Sequence, residues 1–252
     1  MRCLFLSAAI LSGTFAWAQG DFSEVWSPIC TIGTTAEEGC KDIRAREILD
    51  ATEPAWRAIG RVNFASRDQR SHCTGVLVAD DLVLTAAHCL YNSSRKTWIP
   101  ASSIRFAGGY QRGEAAAFSV VKSYRLHPDQ AADSGFNDRA ELDWAVLELA
   151  EPIGQSLGHF GIGNSDAQAG TVAGYAGLRP HVLSRTNNCP LRRLADGLLL
   201  AICPVMMGDS GAPLLVDTPS GPKVAGILSR VAATPQGIAA LFVSSERFAV
   251  FE

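Results

Sequence analysis

Met207-Gly208-Asp209-Ser210-Gly211-Ala212-Pro213 sets a serine between glycines and runs at once into the apolar stretch Leu214-Leu215-Val216. Glycine reaches backbone conformations closed to other residues, and a short apolar run bounded by turn residues reads as a buried strand. The stretch therefore predicts a tight turn that presents the Ser210 hydroxyl and then enters the core. A serine hydroxyl is a weak nucleophile at neutral pH, so a reactive Ser210 needs a base within hydrogen-bond reach and a third group to orient that base.

Working outward, the clearest base lies in Leu82-Val83-Leu84-Thr85-Ala86-Ala87-His88-Cys89. A buried strand ends at Thr85, two alanines permit close packing, and His88 stands at the exit. A bridge between Cys73 and Cys89 would tie this turn to the preceding strand, and closing a loop of that size contributes about 3 kcal/mol in the chain-entropy account. The orienting acid is best sought in Leu142-Asp143-Trp144-Ala145-Val146-Leu147-Glu148-Leu149, where Asp143 opens an almost wholly apolar strand. A carboxylate buried there needs a partner, and an imidazole N–H satisfies it while fixing the useful tautomer. His72, His127, His159 and His181 lack this setting and read as structural or solvent-facing. Asp138 sits in a polar turn, and Glu148, alternating with apolar neighbours, is expected to face water.

The chain has 252 residues, 47% hydrophobic and 19% charged, enough apolar material for a sizeable core and too little charge for a disordered chain. A formal charge of -3 without a basic cluster argues against a nucleic-acid partner. Met1-Arg2 precedes a mostly apolar run that ends Ala16-Trp17-Ala18, so residues 1–18 read as a secretory signal peptide cut after Ala18. The run is too short for a membrane span, which needs about 20 apolar residues. Cys3 leaves with the signal, so Cys30, Cys40, Cys73, Cys89, Cys189 and Cys203 remain. An even number in an exported chain suggests three disulfides. Zinc is the rival reading, but neither Cys-x-x-Cys nor His-Glu-x-x-His spacing occurs, and no metal or cofactor is expected.

Residues 19–55 read as an irregular N-terminal arm or pro-region, broken by Pro28, Gly33, Gly39 and Pro54, with only 42–49 briefly helical. From Trp56 short apolar strands alternate with turn residues, at 59–64, 74–78, 82–85, 103–106, 118–124 and 144–149. A glycine-rich connection at 151–165 precedes a second set at 171–175, 181–185, 198–203, 213–216, 224–229 and 239–244. About six strands on either side predict two β units, at 56–150 and 166–252.

Thr85-Ala86-Ala87-His88-Cys89, Asp143-Trp144-Ala145-Val146-Leu147 and Gly208-Asp209-Ser210-Gly211-Ala212-Pro213, in the chain order His, Asp, Ser, together resemble the chymotrypsin-fold serine peptidases over about residues 56–250. The resemblance implies an all-β fold of two six-stranded antiparallel Greek-key barrels with the active site between them. It implies a peptide hydrolase in which His88 takes the Ser210 proton, Asp143 holds the imidazole, and the backbone N–H groups of Gly208 and Ser210 form the oxyanion hole. A specificity pocket would have Pro204 and Val205 at its base and Ser229, Arg230 and Val231 along one wall. Pro204 stands where trypsin-like enzymes carry an acid, and Leu228 where glutamyl-specific relatives carry a histidine. An apolar or small side chain is therefore expected before the cleaved bond, with Arg230 the group there that could meet an acid.

In that family the acid before the serine pairs with an amino terminus released by pro-segment cleavage. Asp209 would take this part if the chain were cut after Arg44 or Arg46, although neither Ala45-Arg46 nor Glu47-Ile48 has the usual apolar start. A Cys189–Cys203 pair resembles the bacterial trypsin-like and glutamyl-peptidase branch, which leaves Cys30 with Cys40. The expected whole is a secreted or periplasmic serine endopeptidase, monomeric and without a membrane span, acting on polypeptides and activated by another protease if the arm is a pro-region. The rival reading is a catalytically silent binding module on the same fold.

Overall fold

Ile59 and Val62 are fully buried while Arg61 and Asn63 keep part of their surface in water, the pattern of a strand with one wet face. The computed structural model describes residues 37–65, 70–130, 135–163 and 166–248. In chain order, β1 (Glu47–Ile48) lies in the arm, followed by β2 (Ile59–Ala65), β3 (Arg70–Leu77) and β4 (Leu82–Thr85). A small hairpin of β5 (Tyr91–Asn92) and β6 (Thr97–Trp98) precedes β7 (Ile104–Gly108), β8 (Ala117–Leu126) and β9 (Ala145–Leu149). The strands β2-β3-β4-β9-β8-β7 close a barrel in that order.

The second unit contains β10 (Gly161–Ile162), β11 (Ala169–Gly174), β12 (Ser184–Arg193), β13 (Leu198–Ile202), β14 (Pro213–Val216), β15 (Lys223–Thr234) and β16 (Gly237–Ser244). Six of them run β12-β11-β14-β15-β16-β13, and the antiparallel pairing of β12 with β13 closes the ring. β1 adds to the free side of β12, and β10 lies parallel to β15. Val62, Leu84, Phe106 and Leu147 lie in one core cluster and Val172, Leu199, Leu214 and Phe242 in a second. Each such side chain contributes about 1.5–3 kcal/mol by leaving water.

The fold class is the expected one, and every expected strand position carries a strand. One is displaced: the strand expected at 181–185 runs instead from Ser184 to Arg193. Its outward residues are polar, Asn187 and Asn188 are exposed, and Asn188 has φ 54, so the segment reads as a turn until its neighbouring strands are seen. The short helix is also displaced. It spans Glu37–Ala45 and stops before Arg46, whose side chain turns inward, while Glu47 and Ile48 pair with β12.

Cys73–Cys89 and Cys189–Cys203 are bonded as expected. Cys40 is disulfide-bonded too; its expected partner Cys30, like the expected signal peptide at 1–18, lies outside the described residues. Among the described residues no helix is long and apolar enough to cross a membrane.

Candidate active site

β4 ends at Thr85, whose hydroxyl donates to the Thr74 carbonyl at 2.8 Å, and the alanines after it are fully buried. His88 therefore leaves the barrel at a fixed point, in a single 3-10 turn (Ala87–Leu90) fastened to β3 by the Cys73–Cys89 disulfide. Asp143 lies just before β9 with 1% of its surface exposed. Its Oδ1 accepts the His88 backbone N–H at 2.8 Å, and its Oδ2 accepts His88 Nδ1–H at 2.8 Å and the Ser229 hydroxyl at 2.6 Å. Burial opposes the charge on Asp143, yet the attraction and hydrogen bonds of His88 and the Ser229 hydroxyl together hold its carboxyl below the ordinary aspartate value. A proton fixed on Nδ1 leaves Nε2 of the neutral ring as the proton acceptor.

Ser210 arrives from the facing barrel. Its carbonyl accepts the Thr74 N–H at 2.9 Å and lies 3.9 Å from Cys89 Sγ, which is itself 3.8 Å from His88 Nε2. Gly211 follows with φ 78, and a Cβ there would sit 2.3 Å from both Thr74 O and Thr85 Oγ1. Only glycine lets the two barrels approach this closely. Gly208 has φ 91, and a Cβ there would meet Tyr175 O at 2.5 Å. His72, read from sequence as structural or solvent-facing, donates from Nε2 to that same Tyr175 carbonyl at 2.9 Å, so it backs the loop. Burial above all lowers its pKa, which keeps this imidazole neutral.

The Met207 carbonyl accepts the Gly177 N–H at 2.7 Å. In a trans peptide the N–H points opposite to the carbonyl, so the Gly208 N–H is turned away from Gly177. Thr74 Oγ1 donates to the Gly208 carbonyl at 2.9 Å and accepts the Tyr175 N–H at 3.1 Å, bracing the loop from the first barrel. Among the described residues neither the Gly208 nor the Ser210 N–H has a backbone acceptor. Backbone N–H groups left open in this way can take an anionic oxygen.

Asp209 was expected to meet a released amino terminus. Its partner in the uncut chain is the side chain of Arg46, with Nη1 2.7 Å from Oδ2 and neither side chain exposed. Sequence reasoning treated Arg46 only as a cleavage position, and no local signal marks a residue 163 positions away as the partner.

Of the expected pocket residues, Val205 is buried, and Pro204, Arg230 and Val231 are part-buried. Ser229 spends its hydroxyl on Asp143, because β15 shifts register between Leu228 and Arg230 and leaves Ser229 outside the ladder. Ala240, missed in the sequence, lies opposite both Val231 and Ala201, and it shares an apolar cluster with Val205, Leu228 and Phe242. Cys73, His88 and Cys89 converge closely enough to suggest metal ligands, but both sulfurs are consumed in their disulfide and cannot act as thiolates.

A family model described as Trypsin matches residues 47–187, more than half of the chain. The chain is similar to a glutamyl endopeptidase of Bacillus licheniformis, 24% identical over 189 residues that cover 73% of this chain and 56% of that protein. It is also similar to granzyme-like protein 2 of Rattus norvegicus, 35% identical over 131 residues, or 49% of this chain and 48% of that protein. The chain thus spans about half the length of these curated relatives. A solved structure of a Glu endopeptidase shares the fold with a TM-score of 0.64 at 18% identity, covering 81% of this chain and 94% of that one.

Proposed function

The chain belongs to the trypsin family of serine peptidases, and on that premise we propose that it is an exported endopeptidase whose His88, Asp143 and Ser210 cleave peptide bonds through an acyl-enzyme. Ser210 Oγ attacks the substrate carbonyl while His88 Nε2 takes its proton. The oxyanion that forms accepts the N–H groups of Gly208 and Ser210. His88 then hands the proton to the departing amine, and water repeats the sequence to release the acid. Asp143 stays ionised throughout and holds the imidazole in the Nδ1–H tautomer. The observation that carries this reading is the 2.8 Å bond from His88 Nδ1 to a carboxylate buried at the barrel seam, with Ser210 opposite. The disulfides, together with the leader read in residues 1–18, support an oxidising, exported destination.

The residue before the cleaved bond is proposed to be apolar or small, since among the expected pocket residues the side chains of Pro204, Val205 and Val231 offer no partner to a charge. An acid is the second reading, resting on Arg230 beside the Ser229 irregularity. Matched peptide substrates differing only at that residue separate the two, and a strong preference for Lys or Arg refutes both. A fluorophosphonate probe tests the chemistry itself. Labelling mapped to Ser210 and lost in His88→Ala is the expected result; folded protein that never labels would be a silent module.

A further inference from the structure

The N-terminal arm is built into the second barrel. Ile43 has no exposed surface and belongs to that barrel's core cluster, β1 pairs with β12, and the Leu49 N–H donates to Leu183 O at 3.0 Å. Glu47 pairs with Arg185 at 2.7 Å, while Arg179 donates to the carbonyls of both Arg44 and Arg46. Arg46 is threaded through the centre of this arrangement. Its Nη1 reaches Asp209, and its Nη2 donates to the carbonyls of Ser184 and Gly174. An arginine held this deep cannot enter the pocket of an activating protease, and the bond after it leads straight into a paired strand.

Asp209 is also tied to the loop that carries the oxyanion donors. Its Oδ2 accepts the Met206 N–H at 3.0 Å, and its own N–H donates to the Met206 carbonyl at 3.0 Å. These two bonds close a ring over residues 206–209, and the Gly208 N–H lies within that ring. The carboxylate can remain in this buried place only while a cation faces it. Without one the stranded charge swings toward water, and the Gly208 peptide turns with it. Among the described residues Arg46 Nε and Asp209 Oδ1 have no hydrogen-bond partner. A buried pair with unsatisfied atoms is a poor source of stability, so its use is better sought in what it positions.

We propose that Arg46 is a positioning residue that assembles the oxyanion hole in the uncut chain, supplying from within the arm the positive charge that a released amino terminus would otherwise bring. Activity then needs no cleavage after Arg44 or Arg46. This deepens the peptidase reading above and rests on it.

The test compares acylation of full-length wild type, the double variant Arg46→Met/Asp209→Asn and Arg46→Lys by an activated ester, with fold checked by circular dichroism. The double variant removes both charges together, so neither is stranded. Its acylation is expected to slow by about 10²–10³, the loss typical of one oxyanion donor, with KM within about threefold. Arg46→Lys keeps a cation and is expected to fall between wild type and the double variant, an order that a purely structural role would not impose on kcat alone. Mass spectrometry of active wild type is expected to find the Arg46–Glu47 bond intact. A folded double variant within about threefold of wild type overturns the proposal. So does wild-type activity that appears only with a new terminus at Ala45 or Glu47, a result readable even if both variants misfold. Wild type that never acylates overturns the peptidase reading itself, and the role of Arg46 with it.

Discussion

His88 and Asp143 stand 55 residues apart in the first barrel, and two of the three hydrogen bonds that the Asp143 carboxylate accepts come from His88 itself. The Gly208–Ser210 loop has local bonds of its own, between Asp209 and Met206 and from the Ala212 N–H to the Asp209 carbonyl, but it also leans on distant residues. It is held by Thr74 from the other barrel, by Gly177, and by Arg46 from the arm. The base is thus fixed by residues that fold together, through adjoining strands and a disulfide on one turn. The proposed oxyanion donors depend as well on residues that meet only once both barrels and the arm have docked. A change in barrel packing should therefore disturb the donors well before it disturbs the base.

The largest effect lies on the base side. Asp143→Asn keeps the size of the side chain but can present an N–H to His88, which then holds the ring in the wrong tautomer with Nε2 already protonated. Hydrolysis of a peptide ester should fall about 10⁴-fold in kcat, with the near-ultraviolet dichroism of the folded protein unchanged. A loss below tenfold would mean that the His88–Asp143 bond does not serve the chemistry, and the contrast between the two regions would collapse.

The donor side is broken more gently through Thr74→Val. The substitution keeps the shape of the side chain and removes the hydroxyl that serves both the Gly208 carbonyl and the Tyr175 N–H. Two buried groups lose their partner, at about 1–3 kcal/mol of stability readable from a urea midpoint. kcat should drop roughly tenfold as the loop loosens, while the pH dependence keeps its shape because the base is untouched. A distorted pH profile would show that the two regions are coupled more tightly than their separate supports suggest.

The same contrast explains what the sequence could reveal. His88, Asp143 and Ser210 each sit inside a contiguous run whose local character points to the role proposed for it: a strand exit between alanines and a cysteine, an acid opening an apolar strand, a serine between glycines. The strands of the first barrel were legible for the same reason, since each carries its own apolar run or alternation. β12 was misplaced because its outer face is polar and its place is set by pairing with β1, β11 and β13, which its own residues do not announce. Arg46 was illegible as a partner of Asp209 because an inward-turned arginine in an irregular arm looks, from its neighbours, like an exposed cleavage point. The bond from Ser229 to Asp143 was illegible because the register shift that turns the hydroxyl toward Asp143 belongs to the pairing of β15 with β16 and not to either strand alone.

Ser229→Ala sharpens the comparison at a point where the second barrel touches Asp143. The substitution removes one donor from Asp143 Oδ2 and leaves both bonds to His88, so kcat should fall only a few-fold. The clearer signal is in stability. The Asp143 carboxyl lies below its ordinary value in the native protein, through His88 and then Ser229, against the opposing pull of burial. A depressed native value means that the unfolded chain binds the proton more readily. The stabilisation is therefore complete above the unfolded value, near pH 4, and is lost as pH falls through the native one. Without the Ser229 hydroxyl the native value rises toward the unfolded value, so the loss still begins at the unfolded value but ends at a higher pH and is smaller in total. Urea midpoints for wild type and Ser229→Ala should differ by about 1.5–3 kcal/mol at pH 7, the range for a hydrogen bond to a charged group, and converge as pH approaches 2. A gap that stays constant down to pH 2 would mean that Ser229 supports the barrel seam by packing, and that His88 alone holds Asp143 ionised.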